Sequence, residues 1–369
     1  MPKQVNDDPE LLEQMLNDAK SVPDLFKTTN YWSAYERSFV SELRSYGLKN
    51  FRSRRSSVLQ SFGAVDLLPW SQLLYPNPIW KVPFKLRLIN SLLAPLIELK
   101  SMQRLADYIA LATVGTTLQD IRILCYEFAK SYGENVGAKS ICELEASPFG
   151  NPEDVFQIGD RNYTMSTIYY YMQYAYCCQF MDFESIDKIV EIGSGSGKQI
   201  EIIKKLHPHI KFLVFDIPPQ LYVCEQYLSA IFPESVVSYR INRGIRELPE
   251  MRDGCIFIFG NWQLPDLKLH CDLFWNSASF QEMEPNVVLN YLKYINHITD
   301  KYIFLHELME GQVQAKTEVQ QGVLEQTKLE HYKQGLIDFQ LEDISKSFFI
   351  PQASVASNTT YRYTFWIRR

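Results

Sequence analysis

The segment Ile189-Val190-Glu191-Ile192-Gly193-Ser194-Gly195-Ser196-Gly197 constrains this chain more than any other. It is an apolar run that breaks into alternating glycines and then passes into the amphipathic stretch Lys198–Leu206. The run reads as a buried strand and the stretch after it as a helix. The glycines permit positive φ and let a ligand approach the backbone with no Cβ in the way, at the positive end of a helix dipole. The pattern therefore describes a strand–turn–helix unit that holds a nucleoside-like cofactor, and its plain alternative is a structural turn.

Spacing narrows the cofactor. A dinucleotide fingerprint wants a glycine at position 198, where the chain has Lys198. A phosphate-binding loop wants a glycine at 192 and a hydroxyl at 199, where Ile192 and Gln199 stand. An acidic residue followed by Gly-x-Gly-x-Gly suits S-adenosylmethionine, which presents a zwitterionic methionine end and a sulfonium rather than a pyrophosphate. This assigns Glu191, Gly193, Ser194 and Gly195 to the cofactor. A second anchor is Asp216, which ends the apolar run Phe212–Phe215 roughly 20 residues on, the length of one strand–helix–strand unit. There a carboxylate can accept both ribose hydroxyls, with Ile217 beside it; alternatively Asp216 only caps the helix that Pro218 and Pro219 begin. Gly260-Asn261-Trp262-Gln263 follows the third apolar run, so Asn261 or Trp262 is placed beside an adenine, or Trp262 is simply buried in a turn.

From Lys188 onward short apolar runs alternate with longer amphipathic ones, which predicts a Rossmann-like, doubly wound α/β domain. The expected strands are Lys188–Ile192, Lys211–Phe215, Cys255–Phe259, Asp272–Trp275, Lys301–Leu305, Ser347–Ile350 and Tyr361–Ile367. The last lacks the helix that a parallel crossover needs, so it is expected antiparallel, as hairpin partner of Ser347–Ile350 in a mostly parallel seven-stranded sheet. Before this, residues 1–147 read as mainly helical, with a Pro-containing joint at Leu74-Tyr75-Pro76-Asn77-Pro78. Turn residues at Ser147-Pro148-Phe149-Gly150-Asn151-Pro152 place the domain boundary there, with the second domain over 148–369. The Tyr-rich segment Tyr163–Phe180 is expected to be a helix leading into the sheet.

Composition removes several function classes. A net charge of −6 and the lack of a long basic block give no footprint for nucleic acid. The densest basic patch, Arg52-Ser53-Arg54-Arg55, is expected as a solvated face, or as a seat for a phosphate or anionic sugar. Residues 1–20 lack the layout of a signal peptide, and no apolar stretch is long enough to span a membrane. The nearest, Leu92–Leu99, contains Pro95. With Trp80, Lys81, Lys85 and Arg87 ahead of it, it reads as a buried helix or a surface-seated one. Seven cysteines without a Cys-x-x-Cys pair indicate neither a disulfide framework nor a zinc site, which fits reduced thiols in a cytoplasmic protein.

Methyl transfer to a hydroxyl is an in-line displacement that needs alignment and a base. The fourth strand leads into Asn276-Ser277-Ala278-Ser279-Phe280-Gln281-Glu282-Met283 and the fifth ends in His306-Glu307, so Glu282 and His306 are the candidate bases. Each has a bland alternative: Glu282 as a helix-start carboxylate and His306 as a satisfied strand-end histidine. No metal is demanded, although Asp272 and Glu307 leave one open. Tyr169, Tyr170, Tyr171, Tyr174 and Tyr176 offer faces for a sugar ring, or core packing.

Taken together, Glu191–Gly197, Phe215-Asp216-Ile217-Pro218, Gly260–Gln263 and Asn276–Met283 resemble the bacterial sugar O-methyltransferases. The resemblance spans about Gly150 to Arg369, and Asp-Ile-Pro and Ser-Phe-Gln-Glu-Met are its more specific parts. It implies a Rossmann-like catalytic domain, S-adenosylmethionine as donor, and a glycan or nucleotide-sugar hydroxyl as acceptor. The N-terminal region would cover the cleft, contact the acceptor or form a homodimer. Competing expectations are a non-sugar acceptor such as a phenol or polyketide hydroxyl, an inactive scaffold of the same fold, and, third, a nucleotide dehydrogenase or epimerase.

Overall fold

The structure, a computed structural model, describes residues 4–54, 57–66, 118–317, 322–348 and 361–369. Four features of the sequence reading lie outside these residues: Arg55, the joint Leu74–Pro78, the segment Trp80–Leu99 and the end of the expected strand at Ile350. A small hairpin, β1 (Phe156–Ile158) and β2 (Arg161–Tyr163), precedes the main sheet. That sheet holds β3 (Lys188–Ile192), β4 (Lys211–Asp216), β5 (Val236–Val237), β6 (Ile256–Gly260), β7 (Cys271–Ser277), β8 (Thr299–Leu308), β9 (Phe339–Lys346) and β10 (Tyr361–Arg368). Their order is β5-β6-β4-β3-β7-β8-β10-β9, with β10 antiparallel to both of its neighbours and the other paired strands parallel. The chain reverses direction across the sheet at β3 and β7, so the crevice for a ligand opens at the carboxyl ends of these strands.

The central strands are apolar on both faces because both are covered. On one face Ile189, Phe212, Val214, Ile256, Ile258, Leu273 and Trp275 pack in one buried cluster. This cluster includes residues of α4 (Met165–Cys177), α5 (Lys198–Leu206) and α6 (Pro218–Ile231), and of α1 (Pro9–Asp18), α2 (Asn30–Tyr46) and α3 (Leu118–Asn135) before them. On the other face Val190, Ile192, Leu213, Phe215, Phe257 and Phe259 pack with Val288, Tyr291, Leu292 and Ile295 of α7 (Pro285–Ile298). Each fully buried side chain of this size contributes about 1.5–3 kcal/mol.

The expected antiparallel last strand is present, but its partner is not Ser347–Ile350. The antiparallel partner on that side is β9, which ends at Lys346, and Ser347 beyond it donates its N–H to the Tyr361 carbonyl. The apolar run Phe348-Phe349-Ile350 drew attention from Phe339–Lys346, an edge strand whose alternating burial hides a weaker period-2 pattern. The additional short strand β5 brings the sheet to eight strands.

The Tyr-rich segment forms α4, begun by a capping box between Thr164 and Thr167. The N-terminal region packs onto the sheet domain. Asp8 pairs with Arg240 and Asp18 with Arg243, while the expected boundary at Ser147–Phe149 is fastened by Arg52, whose Nη1 donates to the Ser147 and Phe149 carbonyls at 2.5 and 3.0 Å. Arg52 is therefore not the solvated residue its Arg-rich context predicts. It is buried and ion-paired with Asp66, because burying a guanidinium is tolerated only with its donors filled. Arg54 pairs with Glu42 at 3.3 Å over the Tyr46 ring. All seven cysteines are free. Among the described residues no helix is long and apolar enough to cross a membrane.

Candidate active site

Where β3 ends, Gly193, Gly195 and Gly197 all take positive φ, at 75°, 55° and 77°. Their lack of a Cβ serves different neighbours. A Cβ on Gly193 would collide with the Ser279 side chain, and one on Gly197 with Cys224 and Leu228. Only Gly195 faces a looser surrounding, with Phe62 3.3 Å from where its Cβ would sit. The turn is thus shaped by protein packing as well as by room for a ligand. A cavity opens over it, lined by Glu191, Gly193, Ser194, Gly195, Asp216, Ile217 and Asn261 on one wall.

Asp216 caps this wall. Its carboxylate accepts from Gly195 N at 2.9 Å and Ile217 N at 2.8 Å, and burial pushes it up to about 7 against those hydrogen bonds. Glu191 is also buried, and burial together with the Asp216 charge raises it well above the ordinary carboxyl range. Buried carboxyls of this kind gain from a cationic neighbour.

Three amide oxygens on the cavity lining, Gln199 Oε1, Gln220 Oε1 and Asn261 Oδ1, are buried without a hydrogen-bond partner among the described residues. The Asn261 amide is oriented, since its Nδ2 donates to the Phe26 carbonyl at 3.0 Å and to Tyr291 Oη at 2.7 Å. Orphaned buried acceptors call for a donor, and the amines and ribose hydroxyls of an adenosyl-amino acid are such donors. The residues present fit that group. Trp262 is not on this lining; its ring packs over Gly260 and edge-on to Tyr239, with ring centroids 6.2 Å apart. Of the two residues expected beside an adenine, the structure brings Asn261 to the cavity and leaves Trp262 in the packing.

The same cavity is also lined by Thr29, Trp32, Phe62, Asp66, Tyr169, Tyr170, Ser277, Glu282, Met283 and Tyr361. Glu282 is buried, and burial and the Glu307 carboxylate raise it well above the carboxyl range while hydrogen bonds from Trp32 and Tyr31 oppose the rise. Thr29 Oγ1 donates to its backbone carbonyl at 3.0 Å, so the N-terminal segment holds the residue from the far side. The turn ahead of it is strained: Ala278 sits at φ 58°. Glu307 holds that turn by accepting from Ser279 N at 3.3 Å and Gln281 N at 3.0 Å, and Asn276 Nδ2 ties it to the Ile192 carbonyl at 2.7 Å. Glu307 is thereby committed to the turn, and Asp272, on the β3 start at Asp187 N and Lys188 N, lies at the other end of the sheet. The two do not form a metal site together.

His306 is not on the cavity lining. It is fully buried behind it, with Nδ1 3.1 Å from Tyr169 Oη and 3.0 Å from Ser277 Oγ, and its ring stacks on Tyr361. Burial pushes the imidazole down to about 3, so it is neutral at physiological pH. His306 therefore meets the cavity through residues that line it, the hydroxyls of Tyr169 and Ser277 and the ring of Tyr361. Of the tyrosines on α4, Tyr169 and Tyr170 line the cavity. Tyr171, Tyr174 and Tyr176 instead bond Lys139, His207 and Asp343.

Asp66, Trp32 and Gln220 are cavity residues that sequence reasoning missed. Burial would raise the Asp66 carboxyl, but Arg52 and Lys198 outweigh it and hold it at about 2. Lys198 Nζ lies 2.8 Å from Asp66 and donates to the Gly63 carbonyl at 3.0 Å, which lashes residues 63–66 to the first residue of α5, just after the glycine turn. Nothing local marks Trp32 or Asp66. Gln220 carries a positional signal, one turn into the helix that starts after Asp216.

Residues 166–242, which include the glycine turn and Asp216, match the family model described as an O-methyltransferase domain. No curated protein matches the chain. Similar solved structures include the mitomycin 7-O-methyltransferase MmcR, with 12% identity, 51% of each chain covered and a TM-score of 0.34. Another is the pyocyanin biosynthetic protein PhzM, with 14% identity over 55% of this chain and 58% of that one and a TM-score of 0.36. Human N-acetylserotonin methyltransferase in complex with SAM has 15% identity over 55% and 58%, with a TM-score of 0.33. The aligned part of this chain spans about half to three-fifths of the length of these structures.

Proposed function

We propose that the protein is an S-adenosylmethionine-dependent O-methyltransferase whose acceptor is a sugar hydroxyl. The observation that carries this reading is the placement of a buried carboxyl, Glu282, on the same cavity as the glycine turn and Asp216. When bound, the cofactor supplies an electrophilic methyl group. Gly193–Gly195, Asp216, Ile217 and Asn261 would hold it, with Asp216 on the ribose hydroxyls and Glu191 toward the cationic end. Glu282 takes the hydroxyl proton as the acceptor oxygen attacks, oriented by the donors of Trp32 and Tyr31. His306 supports the site through Tyr169 and Ser277 as a positioning residue.

Aromatic faces at Trp32, Tyr169, Tyr170 and Tyr361 beside the carboxyl of Glu282 support a sugar, whose ring stacks while its hydroxyl donates. A flat phenol is the second reading, favoured by the apolar side of the cavity at Phe62, Met165, Met283 and Val287. Residues 1–147 act as the cover of the cleft in this account, with 148–369 the methyltransferase domain. Seven free thiols fit the cytoplasm.

Labelled-methyl transfer assayed against neutral sugars, nucleotide sugars and phenols tests the proposal. The expected outcome is a methylated sugar whose formation requires Glu282. Transfer to phenols with none to any sugar would overturn the acceptor assignment. Cofactor binding without transfer to any acceptor would leave a scaffold, and transfer that survives Glu282→Gln would remove Glu282 as the base.

A further inference from the structure

At the end of the sheet opposite the cavity, the turn before β3 carries Glu184, and the turn between α5 and β4 carries His207-Pro208-His209. One ligand atom from each of Glu184, His207 and His209 lies within 4.8 Å of the other two. His207 is almost fully buried, and its Nε2 is engaged by Tyr174 Oη at 2.9 Å, which turns Nδ1 toward Glu184. Nδ1 stands 3.1 Å from Glu184 Oε1, off the line of a regular hydrogen bond, and His209 Nε2 is buried without a partner among the described residues. Two imidazole nitrogens thus gather beside one carboxylate without a regular hydrogen bond, an arrangement that a shared cation satisfies.

We propose that Glu184, His207 and His209 form a structural site for a zinc-type divalent metal. Imidazole and carboxylate ligands at about 2.0–2.2 Å from zinc lie roughly 3.3 Å apart in a tetrahedron, so the three atoms need only a small approach, with water in the fourth position. Tyr174 is the outer partner that fixes the His207 ring, as metal-ligating histidines generally require. Lys139 Nζ, 2.7 Å from Glu184 Oε1, shares the oxygen that faces His207 and leaves Oε2 as the carboxylate's open ligand atom. That disfavours hard, oxygen-seeking ions such as calcium and selects a metal that binds nitrogen strongly. The site would pin the start of β3 to the start of β4, the two strands whose far ends carry Gly193 and Asp216. It makes no contact with the cavity, so it is independent of the acceptor assignment.

Titrating zinc chloride into the full-length protein after chelator treatment tests this, with cobalt(II) as a spectroscopic substitute. The expected result is one equivalent bound, a raised melting temperature, and a tetrahedral cobalt spectrum with imidazole ligation. His209→Ala and Glu184→Gln should each weaken zinc binding by roughly 100-fold, at least what loss of an outer partner costs a metal site. Glu184 is half exposed, so Glu184→Gln carries the test even if His209→Ala fails to fold. No zinc uptake by the unaltered protein, or unaltered uptake by the Glu184→Gln variant, would overturn the proposal; the latter would move the metal to the thiols.

Discussion

The cofactor wall of the cavity is drawn from one stretch, Glu191 to Asn261, in which each contributor sits at the carboxyl end of a strand, in the turn just after it or, for Gln199 and Gln220, in the first turn of the helix that follows. The acceptor wall is assembled differently. It takes Thr29 and Trp32 from the N-terminal region, Asp66 from the segment lashed to Lys198, Tyr169 from α4, Glu282 from the strained turn after β7 and Tyr361 from β10. On the first wall geometry follows from local backbone rules, so few substitutions there are neutral. On the second it follows from long-range packing, where the Glu282 carboxyl is held by residues far away in the chain.

The sharpest way to break this contrast is Glu282→Gln. Loss of a general base predicts a fall in kcat of about 10²- to 10⁴-fold with cofactor affinity little changed, since Glu282 belongs neither to the glycine turn nor to the end of β4. His306→Gln should cost much less, within about tenfold, because the ring acts through Tyr169 and Ser277 rather than on the acceptor. Equal losses in single-turnover rates would restore His306 to the role of base.

Trp32→Phe probes the same wall more gently. The indole N–H stabilises the ionised form of Glu282, so its removal raises the carboxyl further. The alkaline-rising limb of the kcat profile should then move up by about half a unit to one unit, the worth of one hydrogen bond. A profile that does not move would mean that Glu282 is not the titrating base.

The smallest effect concerns stability. Asp216 is raised to about 7 and Glu307 to about 8, so between about pH 4 and pH 8 the folded protein holds protons that the unfolded chain has released. Stability must fall as pH rises through that window. Thermal unfolding between pH 5 and pH 8 should lose a few degrees, and Glu307→Gln should flatten the upper part of the curve.

The contrast between the walls also explains what could be read from the chain alone. The glycine turn, Asp216 and the central strands announce themselves because sequence neighbours are spatial neighbours and apolar runs bounded by glycine have few other uses. β9 was misplaced because an edge strand with one wet face carries only an alternating pattern, weaker than the apolar run beside it. Glu282 was legible from its position after a strand, whereas its donors Trp32 and Tyr31 were not, since no local signal marks a residue that acts about 250 positions away. Arg52 misled for a related reason: an Arg-rich run reads as a surface until the chain folds Asp66 against it. His306 lies within β8, two residues before its end, and position along a strand does not say which side of an intervening tyrosine a ring will occupy.

The central claim is that the turn after β3 and the carboxylate ending β4 grip an adenosyl sulfonium. Calorimetry with S-adenosylmethionine and S-adenosylhomocysteine tests it most directly. The account predicts one site per chain, affinity weakened about 100-fold by Asp216→Ala, and, because a cation lowers the raised carboxyls Glu191 and Asp216, more protons released with the sulfonium compound than with its demethylated product. Absence of heat with both compounds, or identical affinity in the Asp216→Ala variant, would contradict it.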